Sequence, residues 1–291
     1  QMYSIENELK ILRQFVKPEH MDISESWRCY SEDELSAAEE RLHTKLPLPI
    51  RGIYLYMGDL LICSNYLRPL ELVHWDKDYL AFFENPNADK IVGIKRDDSS
   101  GDIYAWEETD PEDTAWEYAD DFIAAYGEDE AEAQEAMDKF QEYWEKLNAD
   151  PEHRPLQIEK LVNEPRYNHT LDGYSLFLAI DALCEWEEMA SQNCSDEPVY
   201  YAYAGFTGHT KEYFQDIDCR IRTDFIPLLD YPELLAQEIP MQMAYVHKNP
   251  DALLLQADDW GICVLLTKTP IKCEFLEKMK EQTGLAFRIR S

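Results

Sequence analysis

The chain has few basic residues and few glycines, and each shortage excludes a class of function. Its 27 lysines and arginines face 59 aspartates and glutamates, which gives a formal net charge of −32. Such a charge repels phosphate backbones and anionic lipid headgroups, so we expect no direct binding to nucleic acid or to a membrane surface. Only 10 glycines occur in 291 residues, and neither a P-loop nor a GxGxxG motif is present. The sequence therefore predicts no cofactor.

Paired cysteines and long apolar runs are also missing. The seven cysteines are scattered singly, without a CxxC pair. An odd number at irregular spacing does not indicate a disulfide framework, and we expect no structural zinc site. Gln1-Met2-Tyr3 lacks the basic and apolar regions of a signal peptide, and no apolar run reaches the length of a membrane span. These features predict a cytoplasmic protein.

Catalytic motifs are absent as well, and the remaining candidate groups are isolated. Neither HExxH nor GxSxG occurs. Asp216 and Asp218 would point to one side of a strand, as some magnesium sites require, and His209 lies in a glycine-flanked loop. Asp258-Asp259 lies in a predicted hairpin turn, where aspartate is favoured for backbone reasons. We expect no metal site and no enzyme, unless these groups converge in a pocket.

The N-terminal part of the chain has the pattern of three helices. Residues 3–17 repeat apolar side chains at helical spacing. Ser31 and Glu34 form a capping box that begins a second helix. Pro47 ends that helix, and a third follows, with Gly58 as its predicted C-terminal cap. The apolar residues of the third helix recur at i, i+3, i+4 and i+7: Ile50, Ile53, Tyr54 and Met57.

After Gly58 the pattern becomes strand-like. Short apolar runs are separated by polar turns at 60–62, 70–73, 79–83, 90–95 and 102–106. Loops of this length are too short for parallel crossovers and predict an antiparallel meander. Later segments predict helices at 174–190 and 271–283, and strands at 198–206, 253–257, 262–267 and 285–289. These elements are typical of one α+β domain over residues 1–291.

The most unusual segment is acidic and aromatic at once. Residues 107–150 carry 17 acidic and two basic residues, a net charge of −15. A disordered acidic tail rarely contains large apolar groups. Here, however, residues 106–150 include eight aromatic residues: Trp106, Trp116, Tyr118, Phe122, Tyr126, Phe140, Tyr143 and Trp144. The pattern is helical to about Asn163. It predicts an ordered acidic surface that binds a basic protein partner.

The order and spacing of motifs over residues 31–106 resemble those of a known family. Glu39-Glu40 matches its paired acids, Leu46-Pro47 its Leu-Pro dipeptide, and Gly58 the glycine after its second helix. The later matches are Phe82-Phe83-Glu84-Asn85 for an aromatic-Glu-Asn turn, then Gly93-Ile94 and Ile103-Tyr104 for two strands. In these respects the chain resembles the SUKH superfamily, which contains bacterial immunity proteins related to fungal cell-wall regulators of the Smi/Knr type.

The resemblance implies an α+β fold with an antiparallel (mixed) sheet, flanking helices and an acidic helical insertion at residues 107–170. It gives the motif residues a structural role: Leu46, Pro47, Gly58, Glu84, Asn85, Gly93 and Ile94. It implies a non-enzymatic immunity protein that occludes a toxin, often a nuclease. The acidic insertion then supplies the expected partner-binding residues: Trp116, Asp120, Asp121, Tyr126, Glu128, Asp129 and Glu132. The alternative is a Smi/Knr-type interaction scaffold or regulator without a toxin partner.

Overall fold

The structure is a computed structural model that combines helices with two antiparallel sheets. It describes residues 5–16, 29–63, 66–85, 90–107, nine positions within 134–145, and residues 158–161, 171–190, 200–205, 220–228, 242–248, 251–257 and 262–289. The predicted α+β class is confirmed. The sequence patterns predicted six of the ten strands among the described residues and missed those at 75–76, 159–160, 225–227 and 242–247. They also did not predict the division of the strands between two five-stranded sheets.

The three predicted N-terminal helices are confirmed. They are α1 (Ile5–Arg13), α2 (Glu32–Leu42) and α3 (Leu48–Tyr56). The capping box of α2 is complete, because the Ser31 hydroxyl accepts from the Glu34 amide and the Glu34 carboxylate accepts from the Ser31 amide. Each satisfies a backbone donor that the first helical turn leaves unpaired.

The region after α3 differs from the prediction. Met57 caps α3, and Gly58 instead begins a fourth helix, α4 (Gly58–Cys63), where a strand was expected. Leu60 and Leu61 are both fully buried, and a short run of consecutive apolar residues fits a buried helix as well as a strand. The expected strand at 70–73 is also wrong, because Leu70–Leu72 forms a 3-10 turn.

The first sheet is the predicted meander. Its strands lie in chain order: β1 (Trp75–Asp76), β2 (Tyr79–Asn85), β3 (Lys90–Lys95), β4 (Tyr104–Glu107) and β5 (Glu159–Lys160). A bulge after Ala81 places Phe82 and Phe83 together in the main core. Strand β5 corrects the prediction, since the acidic helical pattern was expected to continue to about Asn163.

The second sheet has a different strand order, β6-β10-β9-β8-β7. Its strands are β6 (Tyr201–Gly205), β7 (Phe225–Pro227), β8 (Gln242–His247), β9 (Ala252–Ala257) and β10 (Ile262–Thr267). Ala257 lies opposite Ile262, which confirms the predicted hairpin. The expected strand at 285–289 is reduced to one bridge, between Tyr203 and Arg288.

Two long helices cover the second sheet. They are α5 (Leu171–Ala190) and α6 (Cys273–Thr283), both of which were predicted. Leu253 and Leu255 of β9 join the main core with the buried residues of α5, whereas the intervening Leu254 packs in a second cluster with Met279 of α6. Successive side chains of a strand point to opposite faces of its sheet, and in β9 both faces are covered.

Candidate protein-docking surface

Residues 108–157, which we call the acidic segment, connect two strands that pair with each other. Tyr104 in β4 lies opposite Lys160 in β5, and Ala105 lies opposite Glu159. The Leu161 amide then donates to the Ile103 carbonyl at 3.0 Å. The segment contains 17 acidic and three basic residues, a net charge of −14. The two ends of the acidic segment therefore lie side by side at one edge of the first sheet.

Side-chain contacts stabilise the edge of the first sheet at β4 and β5. Lys90 lies 3.1 Å from the Glu159 carboxylate, and Lys160 forms an ion pair with Asp102. Exposed pairs of this kind contribute only about 0–1 kcal/mol each. The larger contribution comes from Trp106, which is 1% exposed and donates its indole N–H to Asp76 at 3.0 Å. Burial of such a side chain stabilises the fold by about 2–3 kcal/mol.

A cleft with a volume of about 260 Å³ lies beside Trp106 at this edge. Its lining residues are Lys90, Ala105, Trp106, Glu107, Ile158 and Glu159. The charges of Lys90 and Glu159 neutralise each other, because these two side chains are paired. The cleft therefore marks where the acidic segment joins the sheet, and its lining does not form an acid–base or nucleophile–base arrangement.

Part of the acidic segment is described, and it is helical. The residues concerned, which we call the acidic helix, are Gln134, Glu135, Met137, Asp138, Phe140, Gln141, Glu142, Trp144 and Glu145. Gln134 donates its side-chain amide to Asp138 at 3.1 Å. This is the i, i+4 contact that neighbouring turns of an α-helix allow.

An apolar stripe runs along the acidic helix. Met137, Phe140 and Trp144 are spaced at i, i+3 and i+7, which places them within roughly 60° of one another around the helix axis. Met137 is 43% exposed and Trp144 is 40% exposed, whereas Phe140 is half-buried. Neighbouring apolar groups in water form a patch, and patches with polar rims mark sites of protein contact.

Carboxylates flank this stripe. Asp138 and Glu145 lie roughly 80–100° around the axis from Met137, and Glu135 and Glu142 lie roughly 140–160° from it. All four are exposed. The helix therefore presents an apolar face next to an acidic one. A surface of this type is complementary to an apolar depression that has basic residues on its rim.

The buried carboxylate of Glu39 has structural partners. The Glu39 carboxylate accepts from the Leu46 amide at 3.1 Å and from Arg51 at 2.6 Å, and it also pairs with Lys45. Burial raises the pKa of Glu39, but the hydrogen bonds from Lys45, Leu46 and Arg51 outweigh burial and hold this pKa below its usual range. Glu39 thus joins the end of α2 to the start of α3.

Two further contacts tie distant elements together. Arg13 donates to both carboxylate oxygens of Asp59, at 2.9 and 3.0 Å, and so links α1 to α4. The Tyr66 hydroxyl donates to Asp181 in α5 at 2.6 Å. Bidentate and buried hydrogen bonds of this kind fix the orientation of the elements they join. Both contacts serve the fold.

Glu8 differs from these carboxylates. Its Oε2 atom is enclosed, and no donor among the described residues hydrogen-bonds to it. Burial raises the pKa of Glu8 to about 7. A carboxyl without a compensating donor favours its neutral form, since desolvation penalises the charge. Glu8 lies on α1 and is therefore not part of the acidic helix.

The motif residues quoted for the family resemblance lie in structural positions. Leu46 is buried and Pro47 caps α3. Glu84 lies at the end of β2, 2.9 Å from Arg68, and Asn85 is the last residue of that strand. Gly93-Ile94 lies in β3. These residues are spread over separate helices and strands, and they do not converge on one site.

Most predicted site residues lie outside the described part of the chain. This holds for every expected partner-binding residue: Trp116, Asp120, Asp121, Tyr126, Glu128, Asp129 and Glu132. It also holds for the isolated catalytic candidates His209, Asp216, Asp218 and Asp258-Asp259. Within the described ranges, no group of three histidine, cysteine or acidic residues is placed to hold a metal ion. No described helix has the length and apolarity of a membrane span.

The sequence does not single out the exposed pair Met137 and Trp144. Trp144 is one of several aromatic residues in the acidic segment, and Met137 is not aromatic. The signal was present in their spacing of seven residues, which is two helical turns. Spacing alone does not show whether an apolar stripe is covered, and the exposure of both side chains supplies that information.

No protein-family model, no curated protein and no solved structure matches this chain.

Proposed function

We propose that the chain is a non-enzymatic binding protein that captures a basic protein through its acidic segment. One observation carries this proposal. The acidic helix leaves Met137 and Trp144 exposed beside four exposed carboxylates. Charge attracts a basic surface from a distance, and desolvated apolar groups hold it once it has docked. A purely solvated acidic helix needs no exposed tryptophan.

The more specific form of the proposal is an immunity protein that neutralises a toxin. The resemblance of residues 31–106 to the SUKH superfamily supports this form. In this mechanism the acidic segment covers a basic groove of the toxin, such as the substrate groove of a nuclease, in a stoichiometric complex. Opposite charges raise the association rate by orders of magnitude at low salt. A Smi/Knr-type scaffold would use the same surface to bind a cellular partner that is not a toxin.

The test begins with the genes on either side of the coding gene. Their products are expressed, purified and mixed with the full chain, and complexes are detected by size-exclusion chromatography. For a complex, the Kd is measured between about 50 and 500 mM salt, and we expect it to rise at least roughly tenfold. A salt-independent Kd contradicts capture by charge. A basic partner that is toxic in cells and inactive in the complex supports the immunity form, whereas a harmless partner supports the scaffold.

A further inference from the structure

We propose that Met137 and Trp144 are the apolar anchors of this interface. The partner then offers an apolar groove, with lysine or arginine on its rim, that receives one face of the acidic helix. This inference rests on the proposed function and adds the mode of recognition. It makes a specific pair of side chains responsible for the lifetime of the complex.

The position of the two residues supports a groove rather than a flat contact. They lie about 20° apart around the helix axis and two turns apart along it, or about 10.5 Å. Helices that dock in grooves use anchors at this spacing. Trp144 is also of the residue type that most often dominates interface energy. Met137 adds a flexible side chain that adapts to an irregular pocket.

The flanking carboxylates identify the chemistry of the occupant. Asp138 and Glu145 are the described acids nearest to the stripe, and both are exposed. They require a cationic rim on whatever covers Met137 and Trp144. A second copy of this chain does not meet that requirement, because its net charge is −32. An anionic membrane is repelled for the same reason. A basic protein is the occupant that fits both the stripe and the charges.

Apolar anchors and charges predict different effects of one substitution. Met137→Glu removes an anchor but adds a negative charge to an already acidic helix. If attraction by charge alone held the complex, this variant would bind a basic partner more tightly. We expect it to bind at least roughly 30-fold more weakly, mainly through faster dissociation, as truncation of a dominant interface residue does.

The measurement is surface plasmon resonance with the purified neighbouring-gene product that forms the complex. The full-length variants are Met137→Glu and Trp144→Ala, and circular dichroism checks that each is folded. Leu72→Ala is the matched control, since Leu72 is 61% exposed and belongs to the 3-10 turn at Leu70–Leu72 rather than to the acidic helix. We expect its Kd to match that of the unmodified chain. Glu135→Asp, a charge-preserving change at an exposed position about 160° around the same helix from Met137, should alter Kd less than roughly threefold.

The outcomes separate this inference from the proposed function. Weaker binding by both anchor variants, with the two controls unchanged, supports the anchors. A salt-sensitive complex that neither Met137→Glu nor Trp144→Ala weakens overturns the inference and leaves capture by charge intact. A complex that tightens with Met137→Glu also overturns it. If no neighbouring-gene product binds the chain, the proposed function and this inference both fail.

Discussion

Ala105 in β4 lies directly opposite Glu159 in β5, although 53 residues lie between them along the chain. This pairing holds the two ends of the acidic segment side by side. A connection between paired antiparallel strands needs only two residues. The remaining length is therefore not required to join the strands, and it is available for another function.

The first prediction follows from that pairing. Since Ala105 pairs with Glu159, a shortened protein can be designed in which a two-residue Asn-Gly turn replaces residues 108–156. We expect the shortened protein to fold, with a thermal midpoint that is unchanged or higher. Each halving of loop length removes about 0.6 kcal/mol of closure entropy, and the deletion also removes repulsion among the acids. Circular dichroism melts check this, and an unfolded product would show that the segment is part of the core.

The second prediction concerns Gly93 in β3. A Cβ atom at this position would lie 2.0 Å from the Leu80 carbonyl oxygen and 2.9 Å from the Trp106 ring. Gly93→Ala should therefore destabilise the protein by about 3 kcal/mol or more, since both neighbours are packed. Gly205 in β6 is the matched control, because nothing lies within 4 Å of its Cβ position. Urea unfolding of Gly93→Ala and Gly205→Ala should give clearly different midpoints. Equal midpoints would show that Gly93 does not lie this close to Leu80 and Trp106.

The third prediction concerns the buried carboxylate of Glu39. Glu39→Gln should lower the free energy of unfolding by about 2 kcal/mol at neutral pH, because Arg51 and Lys45 lose their charged acceptor. Exposed Glu40 provides the control, and Glu40→Gln should change stability by less than about 0.5 kcal/mol. The pKa of Glu39 is lowered in the folded state. Its contribution should therefore be present above pH 4.5 and disappear as the pH falls below it.

The fourth prediction concerns Glu8. Its ionised carboxylate should lower the free energy of unfolding, whereas that of Glu39 should raise it. The folded pKa of Glu8 is about 7, above the ordinary value of 4.5. The folded state then binds more protons than the unfolded state, so Glu8 lowers stability progressively as the pH rises from 4.5 to about 7. Glu8→Gln should remove this dependence. The variant should be more stable than the unmodified chain at about pH 8 and similar to it near pH 4.5, as measured by urea unfolding.

Glu6→Gln is the matched control for Glu8, since Glu6 lies two residues earlier on the same helix and its pKa is shifted in the opposite direction. The hydrogen bond from Lys10 holds the pKa of Glu6 below its usual range. Loss of this carboxylate should therefore leave stability at about pH 8 unchanged or slightly lower, and never higher. If Glu8→Gln is also less stable than the unmodified chain at about pH 8, the Glu8 carboxylate has a stabilising partner in the folded protein.

Local signals in the sequence predicted much of the fold. The capping box at Ser31 and Glu34, the pairing of β9 with β10 and the Gly284 cap of α6 each depend on neighbouring residues, and each is confirmed. Strand β5 was missed because Glu159 and Lys160 pair with residues far away in the chain. Helix α4 was missed because burial on several sides removes the amphipathic period.

The candidate site was predicted less completely than the fold. The sequence identified the acidic segment and its aromatic residues, but exposure depends on how the chain packs. Trp106 precedes the acidic segment and Trp144 lies within it, yet one is 1% exposed and the other 40%. No local pattern separates these two tryptophans. Only the three-dimensional structure shows which one is available to a partner.

The most direct test of capture by the acidic segment is the affinity of the shortened protein for the partner. Isothermal titration calorimetry should compare the full chain with the folded variant in which Asn-Gly replaces residues 108–156. We expect the full chain to bind and the shortened protein to show no measurable heat of binding. Equal affinity of the two proteins would contradict the proposal, because it would place the interface elsewhere on the fold.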